Sequence, residues 1–228
     1  MALVDSRLGP GACRAVCAFP IAVISCGEKM IKEKIFAADA LNKKYRSYLR
    51  FVEPSDAEFI GALRSDPSLN RFLNPSSADI QAQKKWIKNY KNREMDNLEY
   101  YFVICCDEKD FGVVRMYDFH TNASSFSWGS WIILPSRPEG LVTFSAIMIY
   151  EIGFDVLQFS GCHFQVRKGN RKVTAFHERA GAVQIGEDDD NLYLRFQPRN
   201  YVEFRQKSFK QILVHRTDVF PRFIRASQ

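Results

Sequence analysis

The stretch at residues 162–182 constrains the fold more than any other part of the chain, because it joins a strand pattern directly to a helix pattern. Apolar and polar residues alternate over 162–167, as they do in a half-buried strand. After a polar corner, apolar residues recur at helical spacing from Val173. We expect the side chain of Asn170 to cap this helix and Gly181 to end it.

Alternating and helical apolar patterns also occur on both sides of this stretch, and turn residues separate them. The predicted elements are a strand at 48–52, a helix entered through a capping box of Ser55 and Glu58, a helix at 77–92, strands at 99–107, 111–119 and 126–134, a helix at 141–157, and a hairpin of strands 182–187 and 192–197. Gly129 interrupts one of these strands, which predicts a β-bulge or a close approach of the backbone there.

The size and charge of the chain limit its class. Its 228 residues are 46% hydrophobic and 14% aromatic, which predicts one domain with extensions. The formal net charge is +6, and the excess is concentrated after residue 194. A basic excess favours anionic partners, but no base-reading motif is present, so we expect no nucleic-acid partner. A phosphorylated cofactor, a nucleotide-linked substrate and a merely solvated tail are three explanations that the charge leaves open.

Cysteine spacing and the N-terminal segment bear on location. The six cysteines form no C-x-x-C pair and have no matched histidine spacing, so we expect reduced thiols, no metal and a cytoplasmic location. The apolar run at 15–24 contains Pro20 and is too short to span a bilayer, so no membrane partner is expected. Met30 begins a segment that is more typical of a protein N-terminus. We interpret 1–47 as an N-terminal extension, of which 1–29 is a start-site artefact or is loosely attached.

The first stretch also carries a resemblance. Val166, Arg167 and Asn170 form a V-R-x-x-N motif, followed by Glu178 and Gly181 at eight and eleven places after the asparagine. This pattern resembles the last strand and helix of the GCN5-related N-acetyltransferases (GNAT). The resemblance implies an α+β fold in three layers, with a mixed, mostly antiparallel sheet, helices on both faces and a splayed central pair of strands.

The family's known architecture implies boundaries for this chain. The acetyltransferase domain is expected at 48–197. The basic tail at 198–228 is then left to pack on that core or to form an oligomer contact, which would make the protein a homodimer.

The resemblance also implies a site for acetyl-CoA. The family binds the coenzyme's phosphates with a loop of the form R/Q-x-x-G-x-G/A, and this chain has Arg137 and Gly140 but Val142 at the last position. A branched side chain there either crowds the phosphates or turns away from them. The residues implied to bind the coenzyme are Trp131, Ile132, Ile133, Arg137, Pro138, Glu139, Gly140, Leu141, Val142, Asn170, Lys172 and Phe176.

Three residues are candidates for the proton transfers. His177 stands where the family often has a tyrosine that protonates the leaving thiolate, and an imidazole with a pKa of about 6.5 could do the same. Its helical spacing alone is more typical of a core histidine, and the resemblance is what favours the catalytic role. Gln165 replaces a glutamate found in some relatives, so Asp118 and His120 are the candidates for taking the amine's proton through water, unless they are plain surface residues. An acceptor amine of low pKa would need no dedicated base.

The acceptor is the least constrained part of this prediction. The L-R-S-D-P motif at 63–67 resembles the branch that acetylates nucleotide-linked amino sugars, and that branch is similar to ribosomal-protein N-terminal acetyltransferases. Tyr117, Phe119 and Trp128 are expected to form an aromatic cleft that suits a sugar or a base. We therefore expect an acetyl-CoA-dependent N-acetyltransferase whose partner is a small amine, nucleotide-linked by preference. A peptide N-terminal acetyltransferase and an inactive, ligand-binding relative are the alternatives.

Overall fold

The computed structural model describes residues 47–73 and 79–215, with side chains up to residue 208. The predicted extension before residue 47, including the segment 1–29, lies outside the described residues. So does the end of the basic tail.

Seven strands form one sheet in the order β1-β2-β3-β4-β5-β7-β6. They are β1 Ser47–Phe51, β2 Tyr100–Cys106, β3 Lys109–His120, β4 Ser125–Ile133, β5 Gly161–Arg167, β6 Val183–Glu187 and β7 Asn191–Phe196. All neighbouring strands are antiparallel except β4 and β5. The predicted mixed and mostly antiparallel sheet is therefore confirmed.

Helices cover both faces of this sheet. They are α1 Ala57–Ser65, α2 Pro67–Asn70, α3 Ile80–Met95, α4 Leu141–Glu151, α5 Arg171–Ala180 and α6 Pro198–His215. Ile60 of α1 and Ile87 of α3 belong to one buried apolar cluster, whereas Phe144 of α4, Ala180 of α5 and Tyr201 of α6 belong to the other. The two clusters make the three layers that the resemblance implied. None of the helices in the described part of the chain is long and apolar enough to cross a bilayer.

The central parallel strands separate soon after they begin. Strand β4 pairs with β5 only at Ser125 with Gly161 and at Phe126 with Cys162. From Ser127 onward, the edge of β4 that faces β5 makes no ladder with it, although its other edge stays paired with β3. This divergence is the predicted splay, and it opens a gap in the middle of the sheet.

The predicted irregularity at Gly129 is confirmed. The β3–β4 register shifts between Val113 and Arg115, and Ser130 has a φ of 47°. A side-chain carbon at Gly129 would lie 2.9 Å from the hydroxyl of Tyr117, so any other residue there would require the Tyr117 side chain to shift. The bulge places Gly129 and Ser130 on the wall of the gap.

Helix α5 ends as predicted but begins differently. Gly181 has a φ of 103°, its N–H donates to Glu178 O, and the next N–H donates to His177 O, which is a Schellman stop. The expectation that the Asn170 side chain caps the helix is wrong, because only its backbone carbonyl accepts, from Thr174 N at 3.0 Å and Thr174 Oγ1 at 3.2 Å. The amide group of Asn170 is thereby left for the gap.

Two other local predictions need correction. The capping box before α1 is formed by Glu53 and Asp56, not by Ser55 and Glu58, because Asp56 Oδ2 accepts from Glu53 N at 2.8 Å. Helix α4 ends at Glu151, and one turn of π-helix, Ile152–Val156, completes the predicted helical stretch.

Candidate active site

A cleft of about 580 Å³ opens where β4 and β5 separate. Of the residues predicted from sequence to be catalytic or to bind coenzyme or substrate, five line it: Tyr117, Trp128, Trp131, Asn170 and His177. The lining also includes Arg64, Gln83, Trp86, Tyr101, Arg115, Gly129, Ser130, Phe164, Gln165, Val166, Arg167 and Val173. The splay, rather than any single motif, therefore brings the candidate residues together.

One side of the cleft, here called the apolar wall, consists of Trp131, Phe164, Val166, Val173 and His177 from β4, β5 and α5. His177 is only 5% exposed, and its ring packs 4.2 Å from the ring of Phe164. Burial lowers the pKa of His177 to about 3. The pKa near 6.5 assumed from sequence is therefore wrong for this site, because water cannot solvate an imidazolium there.

His177 is neutral at physiological pH and carries an unused polar atom. Its Nδ1 is buried and has no hydrogen-bond partner among the described residues. An unpaired buried nitrogen costs free energy unless a ligand supplies a partner. The side chain can therefore offer a hydrogen bond to a bound group, but it carries no proton to release as an imidazolium near pH 7.

The opposite side, here called the arginine wall, consists of Arg64, Gln83, Trp86, Arg115 and Tyr117 from α1, α3 and β3. The guanidinium of Arg115 lies 5.5 Å from the centre of the Trp86 ring and 5.2 Å from that of Tyr117. These cation–π contacts fix the orientation of its planar group.

Arg115 shares a buried carboxylate with a second arginine. Glu99 is 4% exposed and pairs with Arg115 and with Arg93, the latter at 2.6 Å. Two guanidinium groups on one carboxylate keep one net positive charge. The Nε of Arg115 is buried without a hydrogen-bond partner among the described residues, so this wall has a donor left for a ligand.

Sequence reasoning missed the role of Arg115 and Trp86. Trp86 lies on the predicted helix at 77–92 and had no assigned role, yet it is 37% exposed and its ring is stacked on Tyr90. The available signal was Arg115 itself, which is the one charged residue within the apolar run of β3.

The charge of the cleft is one-sided. Among the described residues that line it there are three arginines, Arg64, Arg115 and Arg167, and there is no aspartate or glutamate. The absence of a lining carboxylate agrees with Gln165 standing where some relatives have a glutamate. The described lining of the cleft therefore carries a positive charge, which favours an anionic ligand.

Three predicted positions do not contact the cleft. Phe119 packs on Tyr100 and Phe159 in the core, with ring centres 5.7 and 5.4 Å away, so its assignment to the substrate cleft is wrong. Asp118 and His120 are likewise absent from the lining, and they instead hydrogen-bond to each other at 2.9 Å. A hydrogen bond from His163 holds the pKa of Asp118 below its usual value, with a smaller contribution from His120.

The implied coenzyme positions outside the cleft fall into two groups. Ile132 is buried in one of the two apolar clusters, and Ile133 and Phe176 pack against the other. These three side chains are therefore structural, whereas the backbone of β4 faces the gap. The second group lies at or just before the start of α4 and consists of Arg137, Pro138, Glu139, Gly140, Leu141 and Val142. Lys172 is separate from both groups and is exposed on α5.

The start of α4 fits a phosphate. Gly140 has a φ of 84° and begins the helix with no side-chain cap, so no side chain occupies the amides of the first turn. A side-chain carbon at Gly140 would lie 2.8 Å from the Phe144 ring, which explains the glycine. Trp131 Nε1 donates to Ser145 Oγ at 3.1 Å, and this bond ties α4 to the splayed end of β4.

A splayed parallel pair with a helix N-terminus at its open end defines the GNAT class, and comparisons with known proteins agree. A model of the acetyltransferase (GNAT) domain matches residues 46–183. The chain belongs to this family, so it is an acetyltransferase, and the family uses acetyl-CoA.

Individual relatives differ in the acceptor that they name. A solved structure described as apo FdhC, a nucleotide-linked sugar GNAT, is 46% identical, with a TM-score of 0.67 over 73% of this chain and 94% of that chain. The Bacillus subtilis (strain 168) protein "Putative ribosomal N-acetyltransferase YdaF" is 24% identical over 64% of this chain and 82% of its own length. A spermidine N-acetyltransferase from Vibrio cholerae, solved with CoA and spermine, is 19% identical, with a TM-score of 0.60 over 71% of this chain and 99% of that chain.

Proposed function

We propose that this acetyltransferase transfers the acetyl group of acetyl-CoA to the amine of a nucleotide-linked amino sugar. The observation that carries the proposal is the arginine wall, where Arg64 and Arg115 face the cleft and no carboxylate does. A nucleotide diphosphate is matched by guanidinium groups, which bind phosphate oxygens through charge-assisted hydrogen bonds. A polyamine would instead need carboxylates, and the described lining has none.

The aromatic residues of the same wall support this acceptor. Trp86 and Tyr117 flank Arg115 and leave ring surface at the cleft. Rings of this kind stack on a base or on the apolar face of a sugar. The relative at 46% identity is described as a nucleotide-linked sugar GNAT, which agrees with the chemistry of the wall.

The chain's own groups fit acetyl-CoA at three points. We propose that the uncapped amides at Gly140 and the first turn of α4 hold its phosphates, and that the free edge of β4 and the amide of Asn170 hold its arm. Acetyl-CoA supplies the activated acetyl group. The splay positions the acceptor amine beside it, and this positioning supplies most of the rate.

The proton transfers follow from the burial found at the cleft. We propose that neutral His177 donates a hydrogen bond to the leaving sulfur and does not act as an imidazolium, because its pKa is lowered to about 3. No lining carboxylate takes the proton of the amine, so that proton passes to water, and the leaving thiolate takes a proton from water when the coenzyme's thiol is released. This route suits a sugar amine, which is less basic than a lysine side chain with its ordinary pKa of about 10.4.

The test compares acceptors with one readout, the release of the coenzyme's thiol. UDP- and dTDP-linked amino sugars are assayed beside spermidine and short peptides at equal concentration. We expect the largest kcat/KM for a nucleotide-linked sugar. Faster turnover of a peptide N-terminus would replace the proposal with the ribosomal-protein type of activity. We also propose that the reaction takes place in the cytoplasm, because the enzyme requires acetyl-CoA.

A further inference from the structure

A cluster of polar side chains lies beside the cleft but does not contribute to it. Asp118 and His120 are at the end of β3, and His163 is near the start of β5, with Ser125 of β4 between them. His163 precedes Gln165 by two positions, so both side chains point to the same face of β5. The cluster therefore lies one step along the strand from the cleft, at the end where β4 and β5 are still paired.

A bulge in β3 brings these groups together. The β3–β4 register shifts between Tyr117 and His120, and Asp118 within this bulge has a φ of 56°. A left-handed conformation is uncommon for a residue other than glycine, although aspartate tolerates it better than most. It directs the Asp118 carboxylate to the Nε2 atoms of two imidazole rings.

Both rings present the same nitrogen to this carboxylate. His120 Nε2 lies 2.9 Å from Asp118 Oδ1, and His163 Nε2 lies 3.0 Å from Asp118 Oδ2. The two rings are stacked with their centres 4.5 Å apart. One oxygen or nitrogen from each of the three residues lies within 4.8 Å of the others.

A fourth residue fixes the orientation of one ring. Ser125 Oγ lies 2.7 Å from His163 Nδ1. When a metal ion replaces the proton on Nε2, Nδ1–H can donate to this hydroxyl, and the lone pair of Nε2 is left for the ion. Metal-bound histidines usually have such a partner on the second ring nitrogen, because it sets the tautomer.

We propose that Asp118, His120 and His163 bind a divalent transition-metal ion such as Zn²⁺. Two imidazole nitrogens and one carboxylate oxygen are ligands that this class of ion prefers, and three protein ligands leave a further position for water. The side chains are accessible, with 50% of Asp118, 53% of His120 and 27% of His163 exposed. The ion would join β3 to β5 across β4 and stabilise the closed end of the splay.

The test uses the full chain after removal of metal with a chelator. Co²⁺ is added, and its visible absorption reports a low-symmetry protein site. We expect one equivalent per chain, displacement by Zn²⁺, and a melting temperature that Zn²⁺ raises. His163→Asn and Asp118→Asn should each abolish the absorption and the rise in melting temperature. Absorption that survives in both variants would come from ligands elsewhere in the chain and would overturn the proposal.

Two controls sharpen this experiment. Ser125→Ala keeps all three ligands and removes only the bond to His163 Nδ1, so it should weaken Co²⁺ binding about 10-fold without abolishing it. Asp188→Asn removes an exposed carboxylate from another turn, so the Co²⁺ absorption and the rise in melting temperature caused by Zn²⁺ should stay the same.

A measurement on the unchanged chain covers the case in which a variant fails to fold. Anomalous diffraction from a Zn²⁺-soaked crystal should show the ion within bonding distance of both Nε2 atoms. Density elsewhere only, or none, would overturn the proposal.

Discussion

The two walls of the cleft differ in what builds them. The apolar wall lies beside the groups that we propose hold the coenzyme, namely the free edge of β4, the N-terminus of α4 and the amide of Asn170. The arginine wall depends on particular side chains, with Arg115 held by Glu99 and two aromatic rings. Under the proposed function, the shared coenzyme is recognised mainly by backbone geometry, whereas the acceptor is recognised by side-chain charge.

The largest expected effect is on the arginine wall. Arg115→Met removes a guanidinium that we propose binds the acceptor's diphosphate, and hydrogen bonds to charged groups contribute about 1.5–3 kcal/mol. We expect kcat/KM for a nucleotide-linked amino sugar to fall roughly 10- to 100-fold. Acetyl-CoA affinity, measured by calorimetry, should stay the same.

A matched control is available for this substitution. Arg93 also pairs with Glu99 and lies 5.5 Å from the centre of the Trp86 ring, but it does not line the cleft. Arg93→Met therefore perturbs the same carboxylate and ring without removing the proposed contact. Equal losses for the two variants would show that Arg115 only supports the wall.

The second effect concerns the exclusion of water from His177 in the apolar wall. The folded chain lowers the pKa of His177 from 6.5 to about 3, so the unfolded chain binds more protons between these values. Proton binding by the unfolded chain therefore lowers the free energy of unfolding. This loss is absent above pH 6.5 and grows as the pH falls, reaching about 2 kcal/mol at pH 5. His177→Phe should therefore lose less stability than the parent between pH 7.5 and pH 5, as measured by urea unfolding. Parallel losses would show that His177 is solvated.

The same variant sharpens the proposed chemistry. A neutral hydrogen bond contributes about 0.5–1.5 kcal/mol, so His177→Phe should lower kcat by about 3- to 10-fold while leaving acetyl-CoA affinity nearly unchanged. The kcat profile of the parent should show no inflection from an imidazole between pH 5 and pH 8. Equal losses in turnover and affinity, or no loss at all, would exclude His177 from the leaving step.

A third effect isolates the amide of Asn170. Asn170→Ala should weaken acetyl-CoA binding by about 3- to 10-fold and leave the KM of the acceptor unchanged. Thr174→Val is the control, because it removes the 3.2 Å bond to the Asn170 carbonyl and keeps the amide group. If both variants bind acetyl-CoA equally weakly, the start of α5 matters and the amide does not.

Sequence predicted the elements of the fold better than the positions of single side chains. The strand and helix at 162–182, the bulge at Gly129 and the stop at Gly181 each follow from local patterns, and the structure confirms them. Phe119 was misplaced because the bulge at Asp118 breaks the alternation of β3 and turns the phenyl ring into the core.

Other features depend on residues far apart in the chain. The pKa of His177 is set by burial, and the rings of Trp128 and Phe164 come from other elements. His163 meets Asp118 only because β3 and β5 flank the same end of β4, and no spacing in the sequence indicates that contact. Local periodicity cannot encode these encounters, since they arise from strand order and register.

The smallest expected effect tests whether Val142 crowds a phosphate bound at the loop of residues 137–142. Val142 is the second residue of α4 and is half-buried, at the position where the family has a small residue. If its branched side chain crowds a phosphate, the strain is on the order of 0.5 kcal/mol, and Val142→Gly should tighten acetyl-CoA binding about two- to threefold. Glycine also loosens the helix by about 0.5–1 kcal/mol, so Val142→Ala serves as the control that removes the branch alone. Weaker binding by the alanine variant in calorimetry would mean that Val142 packs favourably and that the coenzyme, too, is held partly by a side chain.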